Sequence, residues 1–220
     1  AEEFGVPIDM HVDVADNVAD PRYTLAEYIA EVTIARGQQG RVALGHVTSL
    51  GAMPPDERAR VIERLREADI TIVPLPATDM HLAGRADAVN VRRGLAPVGE
   101  LVEAGVNVCY STNNVRNAFT PYGRADLLEM GLFLAQTCHL SRPADMRRIL
   151  DMVTGNAARN VGITDRHGIR PGCVADLVVI GSKSVADVLL DHPADRIVIK
   201  SGQIVARTRT HSELLLPTTV

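Results

Sequence analysis

The sequence lacks most features that mark secreted, membrane-spanning or disulfide-stabilised proteins. Its three cysteines, Cys109, Cys138 and Cys173, are far apart and form no C-x-x-C pair. They therefore indicate neither a disulfide framework nor a thiolate zinc site. No apolar run approaches the roughly 18–20 residues that a membrane-spanning helix needs, and the first residues are acidic, unlike the basic start of a signal peptide. We expect a cytoplasmic protein with no membrane partner.

Basic stripes and phosphate-binding glycine motifs are also missing. The formal net charge is −4, and lysine and arginine are scattered without a stripe interleaved with aromatic residues, which argues against nucleic acid as a partner. No Gly-rich phosphate fingerprint follows a predicted strand, so a nucleotide cofactor has little support. The composition is that of an ordinary globular protein, since 46% of the 220 residues are hydrophobic and 23% are charged.

Strand and helix patterns alternate through most of the chain. Strands are predicted at 7–13, 41–48, 70–75 and 106–111, and helices at 23–36, 55–68, 98–104, 125–140 and 144–153. This rhythm predicts a parallel sheet with crossover helices. Four such units fit either an open doubly wound sheet or half of an eight-stranded barrel. The half barrel is favoured, because candidate ligands follow the strand ends and no phosphate fingerprint does.

The last part of the chain has a different, β-rich pattern. Strands are predicted at 175–180, 196–200 and 203–206, and the turn residues Ser201 and Gly202 predict a tight hairpin. We therefore divide the chain into a barrel half over 1–160, a small β-sandwich portion over 161–210 and a flexible tail over 211–220.

Two histidines at the ends of neighbouring predicted strands form the central candidate site. Because successive side chains of a strand alternate between faces, Asp9, His11 and Asp13 share one face, and His46 ends the next strand. Neutral imidazoles of His11 and His46 could hold one Zn²⁺ or Fe²⁺. Zinc sites normally use at least three protein ligands, so this pair requires further ligands, for which Asp13 is one candidate.

Further polar residues are candidates for substrate binding. We predict that Asp13 contacts substrate. Asp13 could instead orient His11, or be a structural polar residue with satisfied hydrogen bonds, and the same two alternatives apply to Asp9. His81 could contact substrate or be an ordinary loop histidine. Asn113 and Asn114 could pair with the amide and amidine edges of a heterocycle, or could form an Asn-rich turn.

These residues lie in motifs that resemble cytosine deaminase and its relatives in the amidohydrolase superfamily. The resemblance runs in order over residues 7–206. The motifs that carry it are Ile8-Asp-Met-His-Val-Asp13, Gly45-His-Val-Thr48, Met80-His-Leu-Ala-Gly-Arg85, Arg92-Arg-Gly-Leu95, Gly105-Val-Asn-Val-Cys-Tyr110, Asn113-Asn-Val-Arg116 and Thr120-Pro-Tyr-Gly123.

The resemblance implies a metal-bearing (β/α)8 TIM barrel with a small β-sandwich built from both chain termini. This chain would then supply strands five to eight and part of the sandwich, with a complementary N-terminal barrel half or a second copy of the chain as its partner. It implies a metal-dependent hydrolase that acts on non-peptide C–N bonds of a cyclic amidine or amide, with one divalent Zn or Fe and a small nitrogen-containing heterocycle as substrate.

The sequence departs from the family pattern at residues that carry the chemistry. The family's first-strand His-x-His pair has no counterpart. Val14 stands where the family has a proton-shuttling Glu, and Asn113 and Asn114 stand where it has carboxylates, the first of them a metal ligand. Asn carries no charge and cannot take a proton from water. The alternative interpretation is therefore a catalytically impaired homologue or subunit that acts as a binding or assembly module.

Overall fold

The computed structural model describes residues 1–14, 24–92 and 94–215. The strands in these ranges are β1 (Ile8–Val12), β2 (Val42–His46), β3 (Thr71–Val73), β4 (Leu177–Ile180), β5 (Arg196–Lys200) and β6 (Gln203–Thr208). The α-helices are α1 (Ala26–Ala35), α2 (Pro55–Glu67), α3 (Pro76–Leu82), α4 (Val98–Glu103), α5 (Leu127–Thr137), α6 (Pro143–Met152), α7 (Gly155–Asn160) and α8 (Val185–Asp191).

The first sheet is parallel, with its strands in sequence order β1-β2-β3. Helix α1 connects β1 to β2, and α2 connects β2 to β3, which confirms the predicted parallel sheet with crossover helices. Strand β2 is buried at every position, because it has a strand on each side and helices behind it. Strand β1 alternates between half-buried and exposed residues, because it lies at an edge.

The predicted strand over 106–111 is wrong in its extent. The segment runs beside β3, where Ile72 and Val108 form an isolated parallel bridge and the Ile72 carbonyl accepts a hydrogen bond of 3.1 Å from the Cys109 N–H. No regular ladder extends from this bridge in the described residues. Strand β3 ends just before Pro74, which has no N–H, so one hydrogen bond of the ladder is missing there. The Pro74 carbonyl still accepts a hydrogen bond of 3.3 Å from the Ser111 N–H.

Helix α2 begins at Pro55, as its sequence signals predict. Helix α2 has Pro55 in its first turn, with Asp56 and Glu57 beside it, and proline and acidic residues both favour a helix start. Helix α3 was not predicted. It is only seven residues long, too short for its apolar spacing to be recognised, and Pro76 at its start was the available signal. None of the helices in the described ranges has the length and apolar character needed to cross a bilayer.

The second sheet is antiparallel, in the order β4-β5-β6. The hairpin between β5 and β6 turns at Ser201 and Gly202, both with positive φ (49° and 79°), as the tight turn that matches strand twist requires; the predicted hairpin is confirmed. Helix α8 lies between β4 and β5 in sequence but packs against α5 and α6, with Leu189 fully buried. The small sheet is thereby tied to the helices of the first part.

The hydrophobic core lies between the first sheet and helices α2, α4, α5 and α6. Leu44 from β2, Leu65 from α2, Leu101 from α4 and Ile149 from α6 are each fully buried in it. Truncating such a side chain to alanine typically costs about 2–5 kcal/mol. This core therefore fixes the carboxyl ends of β1 and β2, where the candidate site lies.

Candidate active site

The two candidate metal ligands meet at the carboxyl ends of β1 and β2. In the parallel register His11 is opposite Gly45, and Val12 is opposite His46. Nδ1 of His11 lies 2.9 Å from Nε2 of His46, and the two rings contact edge to face with centroids 4.8 Å apart. The structure therefore brings together the pair that the sequence placed at neighbouring strand ends.

A buried carboxylate that the sequence analysis missed completes this group. Oδ1 of Asp79 lies 2.5 Å from Nδ1 of His46, and Oδ2 accepts a hydrogen bond of 2.9 Å from the Leu75 N–H. Both side chains of the His46 and Asp79 pair are buried. Burial raises the pKa of the Asp79 carboxyl, and the hydrogen bond with His46 opposes that rise. The available signal was a carboxylate just after the third predicted strand, at the same sheet edge as His46.

The backbone is strained where the strands end. Asp13, His46, Val47 and Asn113 all have positive φ, between 51° and 73°. This region is uncommon for residues other than glycine, and least favourable for a β-branched residue such as Val47. Each such residue costs on the order of 1–3 kcal/mol, and conformations of this kind concentrate at functional sites. The strain therefore supports placing the site at this edge of the sheet.

Glycine at position 45 leaves room for the His11 ring. A Cβ atom built on Gly45 would lie 3.5–3.6 Å from the ring atoms of His11, including Nε2. That distance is ordinary van der Waals contact, so the ring packs directly over the backbone of β2. A branched side chain at this position would collide with the ring. The packing holds the imidazole of His11 in place although the residue is exposed.

Asp13 is a buried anchor between β1 and the segments that follow it. Its carboxylate accepts hydrogen bonds from the N–H groups of Leu25 (2.7 Å) and Ala26 (3.0 Å) and from the Ser49 hydroxyl (3.2 Å). Burial raises the pKa of the Asp13 carboxyl, and these hydrogen bonds oppose the rise. The contacts explain Asp13 as the cap of helix α1. Its contact with substrate stays a prediction, while Asp9 is exposed on β1.

Replacing Asp13 with alanine is expected to destabilise the protein by about 1–3 kcal/mol, because the buried Ala26 N–H loses its acceptor. Urea unfolding of the purified assembly measures this loss of stability. Asp151→Ala on the exposed face of α6 is the control and should change stability by less than about 0.5 kcal/mol. Unchanged stability in the Asp13 variant, combined with weaker substrate binding, would contradict the capping role.

Of the other predicted substrate residues, His81 lies on helix α3, and Asn113 and Asn114 lie on the loop after the 106–111 segment. Nε2 of His81 is 2.8 Å from Nη2 of Arg85, and the His81 ring contacts Tyr122 edge to face at 5.5 Å between centroids. The amide oxygen of Asn114 accepts a hydrogen bond of 2.7 Å from Asn117, which is the local loop contact of an Asn-rich turn. The contact between His81 and Tyr122 joins helix α3 to the loop after the 106–111 segment.

The two imidazoles fit part of a metal site. Imidazole nitrogen is a preferred ligand of Zn²⁺ and Fe²⁺, and His11 and His46 place two such rings in contact. Within residues 1–14, 24–92 and 94–215, no group of three or more His, Cys, Asp or Glu side chains is arranged to hold a metal ion. The described part of the chain therefore provides imidazole donors, and any complete site needs ligands from elsewhere.

Comparison with known proteins identifies relatives over nearly the whole chain. A family model described as "Amidohydrolase family" matches residues 1–206. A pterin deaminase of Rhizobium rhizogenes is 31% identical over 205 residues, which are 93% of this chain and 46% of that protein. The chain therefore spans about half the length of the curated relatives that it matches.

Solved structures give the same result. The 5-methylcytosine deaminase of Klebsiella pneumoniae, solved with 5-fluorocytosine, has a TM-score of 0.90 and 26% identity, and the match covers 100% of this chain and 52% of that chain. An adenosine deaminase of Xanthomonas campestris, solved with bound zinc, has a TM-score of 0.69 and 21% identity, covering 97% of this chain and 48% of that chain. The second of these shows likeness of fold alone.

Proposed function

Since the chain belongs to the amidohydrolase family, we propose that it provides the C-terminal half of a metal-dependent hydrolase that acts on a non-peptide C–N bond of a small nitrogen heterocycle. The observation that carries the proposal is the hydrogen-bonded group of His11, His46 and Asp79 at the carboxyl ends of neighbouring parallel strands. Barrel enzymes gather their catalytic residues at this end of the strands.

The proposed architecture is half of an eight-stranded barrel. Strands β1, β2 and β3 and the segment at 106–111 follow one another in sequence order and run parallel, as successive barrel strands do. In the described residues β1 pairs with a neighbouring strand on one side only. A closed barrel has no free edge, so further strands would have to pair with β1, which supports the proposal of half a barrel. The β4-β5-β6 sheet is, in this proposal, part of a small sandwich.

The proposed substrate is a cyclic amidine or amide with amino or imino nitrogen on the ring. Support comes from the relatives, whose names specify deaminases of pterin and 5-methylcytosine. A divalent Zn²⁺ or Fe²⁺ held at the His11 and His46 pair would supply Lewis acidity that makes water a better nucleophile. His81 on α3, and Asn113 and Asn114 on the loop after the 106–111 segment, are proposed to contact the ring through neutral hydrogen-bonding groups.

A second candidate function is a binding or assembly module without catalysis. The observation that favours it is the loss of ionisable groups at Val14, Asn113 and Asn114. Val14 is exposed just after β1, and an alkyl side chain there transfers no proton. Metal content and turnover separate the two candidates.

The test combines elemental analysis with an assay on pterin and cytosine derivatives. For the hydrolase we expect stoichiometric zinc or iron, and ammonia release that chelation stops and added metal restores. A protein that retains ligand binding but holds no metal and releases no ammonia would establish the binding module instead.

We propose a complementary N-terminal barrel half, or a second copy of this chain, as the partner. Two apolar surfaces support the proposal. A groove of about 350 Å³ lies beside β1 and α1, lined by Ile8, Met10 and Val32 among others. On the small sheet, Val178 and Val205 are 55% and 60% exposed. Natural proteins normally cover such sheet edges and apolar faces.

The 220-residue chain alone is therefore expected to self-associate or to unfold without a cooperative transition, whereas the chain supplied with an N-terminal half should unfold cooperatively. The physical reason is that closure of the sheet buries the groove beside β1. Sedimentation velocity and thermal unfolding measure both properties. A compact, cooperatively folded monomer of the chain by itself would contradict the proposal.

A further inference from the structure

We propose that Asn156, in the first turn of α7, is a positioning residue for Asn113 and Asn114, and that it acts through the 106–111 segment that leads to them. Asn156 contacts the beginning of this segment, whereas the two other asparagines follow its end. At about 3.3 Å per residue, the two places are roughly 15–20 Å apart along the chain. The inference rests on the proposed function only for what Asn113 and Asn114 bind.

The 106–111 segment has backbone hydrogen bonds to a neighbouring strand along one side only. Its N–H and C=O groups alternate between its two sides, as in any parallel pair. Three bonds join it to β3 and the residue after β3: Ile72 N–H to the Asn107 carbonyl (2.9 Å), Cys109 N–H to the Ile72 carbonyl (3.1 Å) and Ser111 N–H to the Pro74 carbonyl (3.3 Å). On the other side, the N–H groups of Val108 and Tyr110 have no hydrogen-bond partner among the residues that the structure describes. The segment therefore depends on contacts outside a regular sheet.

Asn156 supplies such a contact on the second side. Its side-chain Nδ2 donates a hydrogen bond of 2.8 Å to the Val108 carbonyl. This carbonyl faces away from β3, because the carbonyl of the preceding residue, Asn107, faces toward it. In return, the backbone carbonyl of Asn156 accepts a hydrogen bond of 3.3 Å from Nδ2 of Asn107. The amide of Asn156 thus binds an acceptor that the N–H of a neighbouring strand normally binds.

The surroundings of these two hydrogen bonds are buried. Val108 is fully buried and Asn107 is 8% exposed, so water does not readily replace a partner that is lost. Nδ2 of Asn107 also donates a hydrogen bond of 3.0 Å to the Thr71 hydroxyl on β3. Strand β3, the 106–111 segment and α7 are therefore tied together at one point, at the beginning of the segment.

The chain beyond the segment is held to α3 by a weaker hydrogen bond. The Thr78 hydroxyl donates to the Thr112 carbonyl over 3.4 Å, a distance at which a hydrogen bond is weak. An extended segment is stiff along its own axis, because its backbone is already near full length. A shift of its buried beginning should therefore carry Asn113 and Asn114 with it.

Asn156→Asp tests the inference by changing one functional group. Aspartate has the same size, but a carboxylate oxygen replaces the N–H that donates to the Val108 carbonyl, so that two acceptors face each other. Asn160→Asp is the matched control, since Asn160 is on the same helix and its side chain makes no hydrogen bond within the described residues. Acidic residues are favourable in the first turn of a helix and unfavourable in the last. Helix effects alone would therefore make the control the less stable variant.

The experiment compares the wild type and the two variants in the complete assembly with the N-terminal barrel half. ¹H–¹⁵N NMR of the metal-free proteins reports the amide signals of Asn113 and Asn114, and the hydrogen exchange of the side-chain amide of Asn156. Calorimetry with pterin and with 5-fluorocytosine as probes measures ring binding to the zinc-loaded proteins. Elemental analysis of the same samples gives their zinc content.

We expect the signals of Asn113 and Asn114 to move in Asn156→Asp and to stay in place in Asn160→Asp. The probe that binds the wild type should bind Asn156→Asp about 10-fold more weakly, which corresponds to the loss of roughly one hydrogen bond. Zinc content should stay the same, because β1 and β2, which carry the proposed ligands, pair with each other and not with the 106–111 segment.

Unmoved signals of Asn113 and Asn114 in a folded Asn156→Asp would overturn the inference. So would a loss of zinc in proportion to the loss of probe binding, because a variant that is only less stable loses both together. Rapid hydrogen exchange of the Asn156 side-chain amide in the wild type would also overturn it, even if the variant does not fold. Moved signals without any loss of probe binding, or in a protein that binds no probe, would support the inference and count against the proposed function alone.

Discussion

Replacing His11 with alanine is expected to remove nearly all tightly bound divalent metal from the protein. His11 lies at the end of β1 with its ring exposed over Gly45, and it is one of the two proposed metal ligands. Loss of a residue that only orients a ligand typically weakens metal binding about 10–100-fold, and loss of a direct ligand should weaken it more. His46→Ala should have a similarly large effect, because His46 is the second proposed ligand and its ring contacts His11.

His139→Ala is the control for this series. His139 is exposed just after the end of α5 and is not a proposed ligand, so its removal should leave the metal content unchanged. The measurement is elemental analysis after chelation and reloading, with circular dichroism to show that each variant is folded. Equal metal content in all three variants would remove the site assignment.

Restoring acidic groups at two positions is expected to raise turnover of a cytosine-like substrate by about 10²–10⁴-fold, the usual contribution of general acid–base assistance. The double change is Val14→Glu with Asn113→Asp, in protein supplied with its N-terminal half. Val14 is exposed, so a longer acidic side chain is accommodated there. Asn113 has φ of 54°, and aspartate tolerates that backbone conformation as asparagine does.

The two substitutions are to be made together, because groups that act as one unit are not additive and either alone can show nothing. Val14→Gln with native Asn113 is the matched control, because it adds the length of glutamate without an acidic group. Steady-state kinetics and metal content are the measurements. If the unmodified protein turns over its own substrate rapidly and the double change abolishes that activity, then Asn113 takes part in a different reaction. The deaminase-like mechanism must in that case be given up.

Several parts of the fold were predictable because their signals are local. The strands β1 and β2, helix α2 and the hairpin at Ser201 and Gly202 are each encoded by neighbouring residues: alternating or continuous apolar side chains, proline at a helix start, and residues that accept positive φ. The cytoplasmic location and the absence of a nucleic-acid partner rest on composition alone and stay predictions.

The sequence by itself also determined that His11 and His46 lie at one sheet edge, because parallel strands of successive units end on the same side. Only the tertiary structure decided what each of them contacts. That Asp79 on α3 faces His46, and that Asp13 caps α1, depends on how segments distant in sequence meet at this edge. The periodicity of a sequence indicates on which face of a strand or helix a side chain lies. A hydrogen bond requires its two atoms to be positioned to within a few tenths of an ångström, and that precision is set by the packing of all the elements together.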